Sequence, residues 1–504
     1  MESTKRKLLL IVGMAMLLVG CGSSMPPIRT ATAPPAAPPP TASATPRSPV
    51  PADTVTSVPP AVIPSPMPPA LALPRIAFVR QGNIVFRAPD GSATPITTDG
   101  ANSEVQWSRD GTALFFTKTA GTGRQTWRWR AESGAVAVPT GIWSPDGTTV
   151  AYQERVAADD PTTATVWRER GGQRQPVAPT EPGVRWQPLA WSPDGQRLAL
   201  ARIRTALVRM PRADGTGIVV PHALETTLWM TVGDPAGGQR VPLDTPADVR
   251  VPITTQGIPA DASEVPDVGV WSPDGKYLTI GVAPGDQCSS CRADGLTYYV
   301  LPVDGSAAHK LDGSLWDGAA PWAANDARVV LSGPLGRETY RRKHLEAFDP
   351  ATGAHTDLAS SPAWADIQPA VSPDGTRIAF TRGQAMQERP APTPLPTQPA
   401  PTQLIASRHI WVMSADSAAP QPIAAAPGWT DEAPVWTPDS GGVLFVRWHN
   451  PTATDPATAE LWAVRPDGSH AARVIGLEPA KITHGGFGSY GTFDWRGLVT
   501  VAPR

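Results

Sequence analysis

The sequence predicts an all-β fold made of repeated four-stranded units, and three observations lead to it. The motif WSPDG begins at Trp143, Trp191 and Trp271. An alternating apolar segment follows the copies, as in RLALAR from residue 197 and RIAFTR from residue 377. Between these segments the chain carries turn residues and no long stretch with helical periodicity, which is typical of antiparallel hairpins. Near-copies of the motif stand at Trp107, Val371 and Trp436, and two worn copies at Trp322 and Trp495.

Each part of the repeat has a local reason. Trp-Ser ends a first strand, and Pro-Asp-Gly forms a turn, because proline presets φ and glycine accepts the left-handed conformation. The alternating segment is the second strand. A third strand with its own turn follows, as in NIVFRAPDGS from residue 83 and HIWVMSADS from residue 409. A less regular fourth strand, such as TPITT from residue 94, completes the unit. We expect the motif tryptophans to pack between neighbouring units.

The spacing of the copies predicts the architecture. Most copies lie 48 to 65 residues apart, near the size of a four-stranded propeller blade. WSPDG with an IAF-like and an IWVM-like strand resembles the repeat of TolB-type β-propeller proteins and of the propeller domains of prolyl-oligopeptidase-like peptidases. The resemblance covers residues 75–504 and implies a β-propeller of about eight blades, with seven as the alternative. It also implies an interaction module, since TolB-type relatives act in that way.

The two ends and two long intervals add further expectations. RIAFVRQGNIVF from residue 75 has no first strand before it, and a worn first strand lies near 491–495. We therefore expect the C-terminal strand to pair with the N-terminal blade and close the ring. The 80 residues between Trp191 and Trp271 predict an insertion or a partial ninth unit. Residues 385–407, which contain ERPAPTPLPTQPAPTQ, are expected to be a disordered proline-rich insertion.

The N-terminus has the pattern of a bacterial lipoprotein signal. A positive segment at Lys5–Lys7 precedes the apolar run LLLIVGMAMLLVG, and Leu18-Val19-Gly20 leads into Cys21. Residues 1–20 are therefore a signal peptide, and Cys21 is the predicted lipid attachment site. A secretory signal with a chance cysteine is the alternative. Residues 21–74 are proline-rich and predict a disordered tether on the extracytoplasmic side of the membrane.

Cysteine usage and charge limit the chemistry. Besides Cys21, the chain has only Cys288 and Cys291, which outside the cytoplasm are expected to form a short-loop disulfide. Free or redox-active thiols are the alternative, and a metal site is less favoured. Loss of residues 1–20 changes the net charge from −2 to about −4. An acidic chain argues against a nucleic-acid partner.

The sequence contains no strong catalytic signature. The eight histidines lack metal-site spacing, and no G-x-S-x-G or phosphate-binding glycine loop stands in the right context. We expect neither a metal nor a cofactor. An acid or amide does recur five residues before the motif position, with tryptophan seven residues before it in two units. The candidate binding residues are Asn102, Asp317, Trp364, Asp366, Trp429 and Asp431.

These residues allow two interpretations. They form Asx-type turns leading into the first strand, or they form a ring at the mouth of a channel. Such a ring would bind a cationic or sugar-like ligand or a partner's loop. The sequence thus predicts a lipid-anchored, monomeric, non-catalytic module that binds an envelope protein or polysaccharide. The alternative is a propeller enzyme or lectin-like protein acting on glycan at the channel mouth.

Overall fold

A computed structural model describes most of the chain from Leu71 to Pro503, and the described part is nearly all β. The residues outside this description are 1–70, 122, 212–216, 233–238, 247–264, 284–295, 315–321, 323–327, 334–337, 388–398, 417–418, 450–457, 478–494, 496 and 504. Cys21, Cys288, Cys291 and Asp317 lie among them, so their predicted roles stay predictions.

The described strands form consecutive antiparallel groups, which we call units 1–8 in chain order. Unit 1 contains β1 (Ile76–Arg80), β2 (Asn83–Arg87) and β3 (Ala93–Pro95). Unit 2 contains β4 (Asn102–Trp107), β5 (Leu114–Ala120), β6 (Gly123–Arg130) and β7 (Gly134–Ala137). Unit 3 contains β8 (Ile142–Trp143), β9 (Thr149–Arg155), β10 (Ala164–Arg170) and β11 (Gln173–Pro176). Unit 4 contains β12 (Val184–Trp191), β13 (Leu198–Pro211), β14 (Gly217–Val232) and β15 (Gln239–Pro242).

The second half of the chain repeats this order. Unit 5 contains β16 (Val265–Trp271), β17 (Tyr277–Ala283), β18 (Leu296–Pro302) and β19 (His309–Ser314). Unit 6 contains β20 (Val329–Gly333), β21 (His344–Asp349) and β22 (Ala354–Asp357). Unit 7 contains β23 (Trp364–Val371), β24 (Arg377–Gln384), α1 (Pro401–Ala406), β25 (His409–Ser414) and β26 (Gln421–Ala424). Unit 8 contains β27 (Thr430–Trp436), β28 (Val443–His449), β29 (Thr458–Val464) and β30 (Ala472–Leu477), and the chain ends with β31 (Val499–Val501).

The C-terminal strand joins the N-terminal unit, as the sequence predicts. β31 pairs antiparallel with β1, with Val501 opposite Ile76 and Val499 opposite Phe78. In unit 2 the motif residue Trp107 pairs with Leu114 in the same way. Val501, and not Trp495, therefore occupies the motif position of the last copy, because the ladder fixes the register.

The long interval before Trp271 is used partly to lengthen two strands. β13 and β14 contain 14 and 16 residues and pair as far as Pro211 and Gly217. This is an extension of a hairpin within unit 4, which favours the insertion over a ninth unit. A single parallel bridge between Ala164 and Arg185 joins units 3 and 4 into one eight-stranded sheet.

The expectation of disorder throughout residues 385–407 is wrong at its C-terminal end. Residues 401–406 form α1, which starts with a proline at its first turn. Leu404 and Ile405 are buried in a cluster with residues of units 1 and 8. The apolar pair makes this end of the insertion part of the core, despite the prolines around it.

The repeated turn is stabilised from within. In unit 5, Asp274 Oδ1 accepts hydrogen bonds from Ser272 Oγ at 2.7 Å and from the Lys276 amide at 3.0 Å. Gly275 has a φ of 70°, which favours glycine there, although Ser440 has a φ of 58° at the same position in unit 8. The same hydroxyl-to-carboxylate bond recurs in Ser108–Asp110, Ser144–Asp146, Ser192–Asp194, Ser372–Asp374 and Thr437–Asp439.

The tryptophans of the motif connect consecutive units, which confirms their predicted packing position. Trp191 Nε1 donates to the Ile142 carbonyl at 3.1 Å, and Trp271 Nε1 donates to the Ala190 carbonyl at 3.2 Å. Trp436 Nε1 donates to the Ala370 carbonyl at 2.8 Å. Each acceptor directly precedes the motif position of the previous unit.

An arginine from the previous unit covers the other side of the indole. The Arg197 guanidinium lies 4.8 Å from the Trp271 ring centre and donates through Nη2 to the Gly275 carbonyl at 2.9 Å. Arg377 contacts Trp436 and the Ser440 carbonyl in the same manner. Each motif is thus held by its own turn and by the unit before it.

Replacing Trp271 by phenylalanine tests the inter-unit hydrogen bond. Trp107→Phe is the matched control, because Trp107 is also buried beside an arginine, while its Nε1 has no acceptor among the described residues. We expect Trp271→Phe to lower the free energy of unfolding by about 1 kcal/mol more than the control. Urea unfolding measures both, and equal losses would show that the bond contributes nothing beyond indole packing.

Candidate functional site

The two described acids that stand five residues before the motif do not face solvent. Asp366 and Asp431 lie on the first strands of units 7 and 8 and are 0% exposed. Arg382 donates to both oxygens of Asp366, at 2.6 and 2.7 Å, and Arg447 to both oxygens of Asp431, at 2.6 and 3.0 Å. The expectation that these carboxylates line a channel mouth is therefore wrong, because the neighbouring strand supplies a buried cation to each.

Burial raises the pKa of the Asp366 carboxyl, and the ion pair with Arg382 opposes that rise. Asp431 has a further neighbour, His409 Nδ1, at 3.3 Å. A carboxylate held by a bidentate arginine in the interior has little freedom to bind a ligand or transfer a proton. These two residues serve the architecture.

Units 2 and 4 contain related pairs in more exposed forms. Lys118 Nζ lies 2.5 Å from Asp99, and Arg202 Nη2 lies 2.6 Å from Glu181. Asn102 is buried beside the first pair and donates through Nδ2 to the Gly82 carbonyl, to Thr97 and to Asp99. Asn102 thus belongs to a network that anchors the start of β4.

The two candidate tryptophans are also engaged by protein groups. Trp364 packs against Trp411 with 5.9 Å between ring centres, and the Arg382 guanidinium lies 5.7 Å from the Trp364 ring. Trp429 lies 5.6 Å from the ring of His449. The structure thus places Trp364 with Asp366 around one arginine and Trp429 apart from that group.

A constant spacing in the sequence indicates which cation pairs with each acid or amide. A cation stands 16 residues after the acid or amide in Asp366–Arg382, Asp431–Arg447 and Asn102–Lys118. The register places the two positions opposite each other on the first two strands. Cross-strand neighbours of opposite charge stabilise a sheet.

A buried carboxylate that the sequence did not single out connects distant parts of the chain. Glu432 accepts hydrogen bonds from Arg408 Nη1 at 2.5 Å, Trp448 Nε1 at 3.2 Å and Trp495 Nε1 at 3.3 Å. Arg408 also donates to Thr339 Oγ1 at 2.6 Å. The charge is fully buried and paired, so it too is structural.

An open site exists elsewhere, among units 2 to 5, and Trp191 of unit 4 and Trp271 of unit 5 are part of its border. A cavity of about 700 Å³ is bordered by Trp107 and Phe115 of unit 2 and by Trp143 of unit 3. Exposed Glu104 and Gln106 also border it. The cavity follows from the short spacing of 36 residues between Trp107 and Trp143, since β8 has only two residues.

Because β8 is short, Glu104 lacks the contact to the following unit that the corresponding residue of unit 7 makes. Gln368 stands at the same repeat position in unit 7, and its Oε1 accepts the Ala433 amide of unit 8 at 2.9 Å. The contacts of Glu104 are to Thr117 and Arg124, both within unit 2. Its side chain is 54% exposed. Glu104 therefore presents a carboxylate at the wall of the cavity.

The described residues hold neither a candidate metal site nor a membrane-spanning helix. They contain no group of three or more histidine, cysteine or acidic side chains arranged to hold a metal ion. Among the same residues, no helix has the length and apolar character needed to cross a membrane.

Comparison with known proteins gives distant structural matches. The TolB structure from Agrobacterium tumefaciens is 17% identical, covers 60% of this chain and 85% of its own, and has a TM-score of 0.31. The β-propeller domain of the trilobed protease from Pyrococcus furiosus is 12% identical over 74% of this chain and 95% of its own, with a TM-score of 0.35.

Dipeptidyl peptidase 4 from Porphyromonas gingivalis is 12% identical over 81% of this chain, with a TM-score of 0.48. This chain spans 59% of that peptidase. No protein-family model matches the chain, and no curated protein matches its sequence. Likenesses at these identities and TM-scores carry no argument about activity or partner.

Replacing Asp431 by asparagine tests the structural role of the buried pair. Arg447 would remain buried without its counter-charge, so we expect a loss of about 3–5 kcal/mol in the free energy of unfolding. Asp416→Asn is the control, because Asp416 pairs with Arg328 while its side chain is 87% exposed. That change should cost about 0–1 kcal/mol. Similar midpoints for both variants in urea unfolding would contradict the assignment.

Proposed function

We propose that the protein is a lipid-anchored β-propeller of about eight blades in a bacterial cell envelope, where it binds a protein partner without catalysis. The observation that carries the binding role is the contrast between two sets of acids. Asp366 and Asp431 are buried in pairs with buried arginines, whereas Glu104 pairs with an exposed arginine and is itself 54% exposed at the wall of a cavity. A cavity with aromatic walls and a few polar groups suits recognition.

The propeller part of the proposal is supported by the order of the units. They follow one another along the chain, and each motif tryptophan with a carbonyl acceptor bonds to the unit before it. β1 pairs with β31 and lies beside β30 of unit 8, which brings the two ends of the series together. Units 1–8 would then be the blades.

Lipid anchoring is tested by replacing Cys21 with alanine in the full chain. A thioether-linked lipid holds a protein at a membrane, and the alanine variant has no thiol to carry it. We expect the unaltered protein in the membrane fraction, with labelled fatty acid incorporated, and the variant in the soluble fraction without label. Cys21→Ser is the matched control and should behave like alanine. Equal membrane retention and labelling of the variants would refute the anchor.

The binding role is tested by affinity capture with the full chain from detergent-solubilised envelope, followed by quantitative mass spectrometry. Glu104→Arg reverses the charge at the cavity wall. Glu132→Arg is the control, because the Glu132 side chain is 68% exposed and does not border the cavity. We expect one protein whose recovery falls about tenfold with Glu104→Arg, equivalent to about 1.4 kcal/mol, and stays unchanged with the control.

Two results of the capture would overturn the proposed binding role. One is recovery that does not depend on Glu104. The other is recovery of polysaccharide alone, which would favour the glycan-directed alternative.

A further inference from the structure

Unit 3 departs from the pattern of its neighbours because its first strand is almost missing. β8 has two residues, which pair as Ile142 with Ala151 and Trp143 with Val150. β9 continues four residues further, to Arg155, and in the described structure this continuation pairs only with β10. One edge of residues 152–155 therefore has no neighbouring strand among the residues that the structure describes.

The alternation of the backbone shows which groups lie on that edge. The Ser144 amide donates to the Thr149 carbonyl at 2.8 Å, so Thr149 points its backbone groups toward β8. Residues four and six positions further along a strand point the same way. The amides and carbonyls of Gln153 and Arg155 thus lie on the open edge, and both residues are exposed.

Other units fill this position with their own first strand. The residues that correspond to Gln153 are Thr117 in unit 2, Thr381 in unit 7 and Val446 in unit 8. Their first-strand partners are Ser103, Ile367 and Glu432. The open edge in unit 3 is therefore a strand position that the fold provides and that no described residue occupies in the ladder.

The charge at one position of this edge is opposite to the charge in units 2, 7 and 8. Lys118, Arg382 and Arg447 occupy the second-strand position that faces the acid or amide of the first strand. Glu154 occupies that position in unit 3, and its side chain is 46% exposed. Its ion-pair partner is Arg174, which comes from β11 and stacks over Trp167. A first strand placed beside β9 would therefore meet a carboxylate where the other first strands meet a cation.

We propose that an extended peptide segment of a protein partner adds to unit 3 as its first strand. The segment pairs antiparallel with β9, exchanges hydrogen bonds with the backbone of Gln153 and Arg155, and places a lysine or arginine opposite Glu154. Strand addition at an exposed sheet edge gains affinity from main-chain bonds and specificity from alternate side chains. The inference deepens the proposed binding role and rests on it, because it names the kind of partner segment.

The charged side chains of Glu154 and Arg155 also fit this role. Exposed strand edges promote unspecific pairing between molecules unless charged residues oppose it. The edge therefore disfavours apolar strands and favours a segment with a positive charge opposite Glu154. Attraction of one partner and repulsion of others together give selectivity.

The test uses the purified full chain and a synthetic probe, acetyl-Thr-Val-Thr-Lys-Thr-amide, which ends opposite Gln153 because Ile142 already lies opposite Ala151. In a second peptide its lysine is replaced by glutamate. We expect the lysine peptide to bind and to slow amide hydrogen exchange at Gln153 and Arg155. Glu154→Lys should reverse the preference between the two peptides. We expect a change of about tenfold in each affinity, equivalent to about 1.4 kcal/mol.

Gln153→Pro provides a direct test of the backbone contact. Proline removes an amide that has no partner in the ladder, so the sheet should tolerate it. We expect binding to weaken about tenfold relative to Gln153→Ala, which keeps the amide and is the matched control. Circular dichroism checks that both variants fold. If the proline variant does not fold, the hydrogen-exchange measurement on the unaltered protein decides whether the peptide contacts the backbone of β9.

Absence of binding, or binding without slowed exchange at Gln153 and Arg155, would overturn the strand-addition proposal. Neither result would change the Glu104-dependent recovery of a partner in the affinity capture. Failure of the strand-addition proposal is therefore distinguishable from failure of the proposed function.

Discussion

The contact between one motif tryptophan and the unit before it is the interaction on which the fold depends. A four-stranded antiparallel sheet of this size cannot bury both faces by itself, so each unit needs a neighbour. The indole supplies apolar area, a directed hydrogen bond and a surface for arginine in one residue. In Trp271 all three are present, with the Ala190 carbonyl on one side and Arg197 on the other. Repetition of this contact turns a series of sheets into one packed structure.

Charge inside the protein is arranged for the same purpose. Asp366, Asp431 and Glu432 are fully buried, and each meets an arginine at hydrogen-bond distance. A buried carboxylate without a partner is costly, whereas a paired one fixes how two strands align. An acid on the first strand of a repeat is therefore weak evidence for a catalytic or binding site when the second strand has a cation directly opposite it. The exposed acids, Glu104 and Glu154, lie where the pattern is interrupted.

Unit 3 shows how a local shortening changes a regular structure. The 36-residue spacing leaves room for the turn and for three full strands, but not for a complete first strand. The result is a cavity beside unit 2 and an open edge along β9. A repeat protein can create a recognition site in this way by shortening one strand of one repeat, because the neighbouring units still hold the surrounding framework.

The sequence by itself determined the strands, the turns and the pairing of the C-terminal strand with the first unit. These features depend on residues close together in the chain or on a repeated pattern, such as the Ser272–Asp274 turn and the alternation in RIAFTR. The choice of Trp495 as the last motif position failed, because only the ladder with β1 shows that Val501 occupies it.

Only the tertiary structure decided what the candidate residues do. Whether Asp366 meets solvent or Arg382 depends on strand register and burial, and neither can be read from the acid's own position in the repeat. The ordered end of the insertion at Leu404 depends likewise on an apolar cluster assembled from distant units. The cavity and the open edge exist because a strand is short relative to its neighbours, and that comparison requires all of them in place.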